Sequence, residues 1–205
     1  LVWKARLQGM PVNIFRLGNI TGHSQNGRSN YHENHQWLLV KGCLQMGYAP
    51  NWERPMEMSP VDFIANSIVK LGLQNKNQVI HLSNPTSMSW KEYIMAINKQ
   101  GFSIHLVNSE EWLDHLLHRT DENNALFPLR QLYEDLLGQN KNEQSNELTI
   151  GQEKTLSLLN GVYPSAYKKW IALYVNYLKQ EGFLTADPMQ MSQEISTNEA
   201  TVQTS

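Results

Sequence analysis

The chain has 205 residues, of which 40% are hydrophobic and 18% are charged, so it is long enough to bury one substantial core. The 17 Lys and Arg against 19 Asp and Glu give a net charge of -2, which argues against a nucleic-acid partner because no basic excess is present to hold a phosphate backbone. No apolar run approaches the length of a membrane-spanning helix, so we expect no membrane insertion.

The first residues predict a helix, a strand and a glycine loop in that order. Leu1–Leu7 has the pattern of the end of an amphipathic helix, and Gly9 followed by Pro11 is placed to stop it. Because no capping residue precedes this helix, we expect the chain to be part of something longer. Val12–Leu17 alternates and predicts a strand that runs into the loop Gly18–Gly22, a succession typical of α/β architectures.

The rest of the chain predicts further alternation of helices and strands after a polar loop at residues 23–32. Ser59 is placed as an N-cap, with Pro60 at the first helical position. The predicted helices cover residues 33–46, 60–71, 89–99, 109–117, 126–137, 152–159 and 164–180, and the predicted strands cover residues 79–83 and 104–107. This order favours an α/β sheet over a helical bundle.

Two segments have too few large apolar residues to pack. Gln139–Glu147 is rich in Asn, Gln and Glu, and we interpret it as a mobile loop. Thr185–Ser205 is predicted to be disordered for the same reason. We therefore expect an ordered part over residues 1–184 and a tail over residues 185–205.

The single cysteine, Cys43, excludes an intrachain disulfide and indicates a reduced, cytoplasmic setting. It lies within an apolar run, so we interpret it as a small buried hydrophobe.

Several sites for chemistry are missing from the sequence. None of the 12 glycines forms a Gly-x-Gly pair, so there is neither a dinucleotide fingerprint nor a P-loop. No tyrosine is followed four residues later by a lysine, the acid–base pair of a short-chain reductase. The histidine pairs 32/35 and 115/118 lack zinc-protease spacing or an obvious third ligand, so we predict no metal site.

An aromatic stripe near the end of the chain repeats at helical spacing. It consists of Tyr163, Tyr167, Trp170, Tyr174 and Tyr177. We interpret this stripe as a packed core face of a helix rather than as a ligand cage.

The segment from Pro11 to Gly22 resembles the sixth strand and following loop of extended short-chain dehydrogenase/reductases. The later sequence is similar to the terminal thioester reductase domains of nonribosomal peptide and polyketide synthases, and the resemblance extends from residue 1 to about residue 184. It rests on Asn30, Trp112 and the segments 41–47, 59–64, 81–85, 124–129, 159–161 and 182–184.

This resemblance implies the C-terminal portion of an extended short-chain reductase (Rossmann-like) α/β fold with a mostly helical substrate-binding subdomain. In that family, NADPH binds to an N-terminal Rossmann half. The domain reduces an acyl or peptidyl thioester, held on a carrier protein's phosphopantetheine arm, to an aldehyde or alcohol. The family's catalytic Thr or Ser, Tyr and Lys would all precede this chain, so we expect no catalytic residue in it and no activity from it alone.

Carried over residue by residue, the resemblance implies that Leu17, Gly18, Asn19 and Ile20 contact the nicotinamide end of the cofactor. Leu17 departs from the proline usual in the family at that position. The residues themselves leave equally open that Gly18 merely helps to make a tight turn.

The resemblance also implies substrate-binding positions at Ser24, Asn30 and Lys41. For Lys41 the alternative is an ordinary solvated helix residue. Two rival functions stay open from the sequence: a stand-alone extended reductase of the fatty acyl-CoA or nucleotide-sugar type, and a non-catalytic module that docks a carrier protein.

Overall fold

Helices and strands alternate along the chain in the computed structural model, which describes residues 1–74, 77–138, 159 and 163–185. In chain order the elements are α1 (Val2–Leu7), β1 (Ile14–Leu17), β2 (Ile20–Thr21), α2 (His35–Met46), β3 (Tyr48–Pro50), β4 (Pro55–Met56), β5 (Ser59–Pro60), α3 (Val61–Gln74), β6 (Val79–Leu82), β7 (Met88–Ser89), α4 (Trp90–Asn98), β8 (His105–Val107), α5 (Ser109–His118), a 3-10 helix (Phe127–Leu129), α6 (Arg130–Gly138) and α7 (Tyr167–Gln180). The loop predicted at 139–147 lies outside the described residues, as do the helix predicted at 152–159 except for Leu159 and the tail beyond Thr185.

Parallel pairing of strands that are far apart in sequence is the basis of the sheet structure. β1 pairs with β6, β2 with β5, and β3 with β8, all in parallel, whereas β4 and β7 pair antiparallel. A parallel pair needs a crossover connection, and helices supply it here. This is the α/β arrangement that the order of elements predicts.

The chain divides into two compact units. The first comprises residues 1–29, 54–90 and 142–174. Its apolar core gathers one face of α3 and the inward side chains of β6, joined by Phe15 of β1 and Ile20 of β2. The buried members are Ile64, Leu71, Ile80, Leu82 and Leu159.

The second unit comprises residues 30–53, 91–141 and 175–205. Its helix α2 begins at the cap Asn34, whose side chain accepts a hydrogen bond from the Trp37 N–H at 3.2 Å. It ends at Gly47, whose φ of 77° is the left-handed conformation that glycine adopts without steric cost. The indole of Trp112 is fully buried and meets the rings of Trp52 and Tyr133 edge-on.

Two helices begin later than predicted, because their first predicted residues belong to a strand or to a 3-10 turn instead. α3 begins at Val61, one residue later than predicted, because Ser59 and Pro60 form β5 beside β2. The predicted cap at Ser59 is therefore wrong: its N–H donates to the Asn19 carbonyl at 3.0 Å and its hydroxyl is engaged elsewhere. Pro128 lies in a 3-10 turn that precedes α6, so the helix predicted from residue 126 starts at Arg130.

The predicted burial of Cys43 is confirmed, since the side chain is 0% exposed. Burial raises the pKa of its thiol to about 12. The thiol therefore stays protonated at neutral pH and is a packing residue rather than a nucleophile.

Within the described part of the chain, no helix is both long enough and apolar enough to cross a bilayer.

Candidate functional site

The candidate site lies at the carboxyl ends of β1 and β6. Because these strands run parallel with Leu17 opposite Leu82, the segments that follow them emerge at the same edge. One segment is the predicted glycine loop from Gly18, and the other begins with Ser83 and Asn84. In open α/β sheets, this edge is where ligands bind.

A carboxylate, that of Glu57, joins the two segments. Its Oε2 accepts a hydrogen bond from the Asn19 N–H at 2.7 Å, and its Oε1 accepts one from the Asn84 N–H at 2.7 Å. The Ser59 hydroxyl donates to the same Oε1 at 2.5 Å. The Asn19 side-chain amide donates in turn to the Glu57 main-chain carbonyl at 2.9 Å. Charge-assisted bonds of this kind are among the strongest in proteins, so Glu57 ties both segments together.

Asn84 uses its whole side chain in holding this edge. It is 3% exposed, and its amide donates to the main-chain carbonyls of Met58 at 2.9 Å and Pro164 at 3.0 Å. Its side-chain oxygen accepts from the N–H and the hydroxyl of Thr86 at 3.1 and 2.9 Å. These four bonds satisfy the amide fully, as a buried polar group requires.

Two tyrosine hydroxyls border the same network. The Tyr163 hydroxyl lies 2.8 Å from the Ser59 hydroxyl, and the Tyr167 hydroxyl donates to the Thr86 carbonyl. The pKa of Tyr163 is raised to about 12, mainly by burial. The hydrogen bond with Ser59 lowers this pKa and the nearby Glu57 carboxylate raises it, and both effects are smaller than that of burial. Both phenols have a raised pKa, so they serve as neutral hydrogen-bonding groups near neutral pH.

The four residues predicted to contact nicotinamide lie together on this loop with different surroundings. The Leu17 side chain is 41% exposed, whereas Ile20 packs against the core. The Gly18 N–H donates to the Leu82 carbonyl at 2.9 Å and the Asn19 N–H to Glu57. Their contact with a cofactor stays a prediction, and Leu17 is the member of the four whose side chain offers apolar surface.

Ser24, the first of the predicted substrate-binding residues, is bound to Asp62 in the first turn of α3. The Ser24 N–H donates to one carboxylate oxygen at 2.9 Å and its hydroxyl to the other at 2.7 Å. Burial raises the pKa of Asp62, but the two bonds from Ser24 and the proximity of His23 bring it below its ordinary value. Asp62 is therefore ionised at neutral pH and holds the start of the loop at residues 23–28.

Asn30 and Lys41, the other two predicted substrate-binding residues, belong to the second unit. Asn30 is exposed. The Lys41 ammonium lies 4.4 Å from the centre of the Phe183 ring, a cation–π contact, and the Tyr31 ring packs 4.7 Å from that same ring. Lys41 is thus partly buried against an aromatic group rather than fully solvated.

The predicted aromatic stripe is a core face of α7 in three of its five residues, whereas Tyr163 precedes the helix and is partly buried, as is Tyr177. Tyr167, Trp170 and Tyr174 are buried. The Tyr174 hydroxyl donates to the Gly22 carbonyl at 2.8 Å and lies 3.2 Å from the Thr21 hydroxyl, so the helix also anchors the far end of the glycine loop. Among the described residues, no group of three or more His, Cys, Asp or Glu side chains is arranged to hold a metal ion.

Sequence reasoning missed the two residues that organise this edge, Glu57 and Asn84. Glu57 lies between Met56 and Met58, which are 8% and 0% exposed. An acidic residue between two apolar residues is a sequence signal for a partly buried carboxylate with hydrogen-bond partners. Asn84 directly follows a predicted strand, and the sequence pattern identifies it only as the residue that ends that strand. Its position at the carboxyl end of β6 marks it as a site residue.

Comparison with known proteins identifies the relatives of the chain. The family described as "Male sterility protein" (NAD_binding_4) matches residues 1–68. The chain is 31% identical over 137 residues to a linear gramicidin synthase polypeptide of Brevibacillus parabrevis, a match that covers 64% of this chain and 3% of that protein. It is 26% identical over 198 residues to the L-2-aminoadipate reductase large subunit of Eremothecium gossypii, covering 90% of this chain and 14% of that protein.

Among solved structures, the terminal R domain from the myxalamid PKS-NRPS biosynthetic pathway matches with a TM-score of 0.77 and 29% identity. The match covers 91% of this chain and 48% of that structure. The predicted resemblance to terminal reductase domains is confirmed, as is the α/β fold of the extended short-chain reductases. The chain spans about half of this reductase domain and a small part of the curated relatives. The family that matches residues 1–68 is an NAD-binding family by its name.

Proposed function

We propose that this chain, whose relatives are terminal reductase domains, is the C-terminal, substrate-binding part of an NADPH-dependent reductase that releases a carrier-bound acyl or peptidyl thioester as an aldehyde or alcohol. We assign residues 1–184 to this part, with residues 185–205 lying beyond it. The phosphate-binding half of the domain lies outside the chain, since none of its 12 glycines forms a Gly-x-Gly pair.

The observation that carries the proposal is the agreement between the site and the similarity. The loop predicted to reach the nicotinamide lies at the carboxyl end of a parallel strand pair, held there by hydrogen bonds to Glu57. The solved structure that the chain resembles at 29% identity over 91% of its length is a terminal R domain. Position in the fold and likeness in sequence thus support the same activity.

The residues of the loop fit the nicotinamide end of the cofactor. Leu17 offers an exposed apolar side chain at the carboxyl end of β1, where a flat ring can pack. The backbone at Gly18 and Asn19 is held by two hydrogen bonds, one from the Gly18 N–H to the Leu82 carbonyl of β6 and one from the Asn19 N–H to the Glu57 carboxylate. The loop is therefore ordered before a cofactor binds. When bound, NADPH supplies the hydride, and this chain contributes binding and orientation.

Ser24 of the first unit, and Asn30 and Lys41 of the second, are the substrate-binding residues of this proposal, and the partner is a carrier protein with a phosphopantetheine arm. The Ser24 hydroxyl donates to Asp62, so Ser24 contributes to substrate binding by ordering the loop at residues 23–28. The Lys41 ammonium lies beside the Phe183 ring. A positive charge next to an apolar ring suits the phosphopantetheine arm, which has both a phosphate group and apolar groups. The single buried cysteine supports a cytoplasmic setting.

The test is turnover by the intact reductase, the polypeptide that joins this chain to its nucleotide-binding half. The substrates are a carrier protein loaded with octanoyl-phosphopantetheine and octanoyl-CoA, each with NADPH and then with NADH. We expect loss of NADPH absorbance with appearance of octanal or octanol, and a higher kcat/KM on the carrier-bound thioester.

Other outcomes identify the rivals. Faster turnover of octanoyl-CoA than of the carrier-bound thioester indicates the stand-alone reductase. Tight binding of the loaded carrier without NADPH oxidation indicates the docking module. Preference for NADH contradicts the assignment of NADPH.

A further inference from the structure

Gly18 lies so close to the Glu57 carboxylate that the carboxylate leaves no room for a side chain at residue 18. A Cβ atom added at Gly18 would overlap both carboxylate oxygens of Glu57 and lie 2.6 Å from its Cδ. Such separations do not occur between unbonded heavy atoms, and the carboxylate cannot swing away without losing its partners Asn19, Ser59 and Asn84. The side-chain space at residue 18 is therefore occupied by Glu57.

Backbone conformation does not account for this glycine. The glycines with positive φ are Gly9, Gly27, Gly47, Gly101 and Gly182 among the described residues, and Gly18 is not one of them. A residue with a side chain can adopt the backbone angles at position 18, so the steric contact with the carboxylate is the reason for glycine there.

We propose that Glu57 is the positioning residue of the nicotinamide loop, and that Gly18 is a glycine in order to admit the Glu57 carboxylate rather than the cofactor. This inference rests on the proposed function, because it names what orders the loop that the cofactor meets. Glu57 acts through Asn19, whose N–H it fixes, and touches neither substrate nor cofactor itself.

The chemistry of the carboxylate makes the role specific. Two N–H groups and one hydroxyl point at its two oxygens, so both oxygens must be acceptors. In Glu57→Gln one oxygen becomes an NH2 group, which meets the N–H of Asn19 or of Asn84 with a second donor. One of the two segments is then released, while the size of the side chain is unchanged.

The experiment measures steady-state kinetics of the intact reductase carrying Glu57→Gln, with Glu110→Gln as the matched control because Glu110 is exposed on α5. Loss of a charge-assisted bond predicts a KM for NADPH raised about 10-fold, with the KM for octanoyl-carrier changed less than about 2-fold. Glu110→Gln is expected to match the wild type. A thermal midpoint lowered with unchanged KM for NADPH in the folded enzyme would mean a purely structural role and overturn the inference.

A double-mutant cycle separates the two explanations of Gly18. Gly18→Ala is expected to raise the KM for NADPH about 10-fold in the wild-type background, and less than about 2-fold once Glu57→Ala has removed the carboxylate. Equal effects of Gly18→Ala in both backgrounds would show that residue 18 meets the cofactor directly, and Glu57 would lose its assigned role.

Amide hydrogen exchange at Asn19 and Asn84 distinguishes failure of this inference from failure of the proposed function. If the wild type oxidises no NADPH, the proposed function is wrong, and the exchange rates still decide the loop assignment. Faster exchange at either amide in Glu57→Gln supports it. Unchanged protection at both amides overturns it.

Discussion

Replacement of Asn84 by alanine is expected to lower the free energy of unfolding by about 3 kcal/mol, because the buried carbonyl of Met58 and the partly buried carbonyl of Pro164 lose their donors and Thr86 loses its acceptor. The measurement is urea unfolding followed by tryptophan fluorescence. Asn123→Ala is the matched control, since Asn123 is exposed, and it should change the free energy by less than about 0.5 kcal/mol.

Asn84→Asp tests whether the donors carry this effect. Aspartate has the same shape and keeps an acceptor for Thr86, but it turns an oxygen towards carbonyls that need an N–H. It should therefore be at least as unstable as Asn84→Ala near neutral pH. A stability of Asn84→Asp close to that of the wild type would contradict the assigned hydrogen bonds.

Gly42→Ala is expected to destabilise the protein by about 2 to 3 kcal/mol, although alanine favours a helix by about 1 kcal/mol over glycine. A Cβ atom at residue 42 would overlap Cγ of the fully buried Leu126, lie 2.8 Å from its Cδ1 and lie 2.9 Å from Asn124 Oδ1. The helix α2 approaches this segment closely enough that only glycine fits, and the buried leucine has no room to move.

The control is Gly72→Ala in helix α3, where the nearest atom to an added Cβ is the Phe15 ring at 4.0 Å. Because a Cβ fits at residue 72, the higher helix propensity of alanine determines the effect, and the free energy of unfolding of Gly72→Ala should rise by about 0.5 to 1 kcal/mol. Opposite signs for the two glycines in the same thermal or urea unfolding assay would support the packing of α2 as described. A gain of stability in Gly42→Ala would contradict it.

Much of the fold could be predicted because its signals are local. The alternation in Val12–Leu17, the apolar spacing around Val40 and the glycine after α2 each fix a short element without knowledge of distant partners. The errors arise where distant pairing overrides a local signal. The local sequence at Ser59 and Pro60 predicts the start of a helix. These two residues instead pair with Ile20 and Thr21 as a strand, so α3 begins at Val61.

The candidate site was only partly predictable for the same reason. The loop Leu17–Ile20 could be found from the residues that follow a strand, and the resemblance named it. Glu57 could not be assigned in this way, because its partners Asn19 and Asn84 are 38 and 27 residues away and its role depends on side-chain geometry. An isolated acid between two buried methionines is a sequence signal for such a residue, but it does not name the partner.

The measurement that tests the central claim most directly is calorimetric titration with NADPH of this chain alone and of the intact reductase, in the same buffer. The claim is that the chain supplies the nicotinamide loop and the substrate side, while the phosphate-gripping glycine loop lies outside it. We predict micromolar binding by the intact reductase and no measurable binding by the folded chain alone. Equally tight binding by the chain alone would contradict the account.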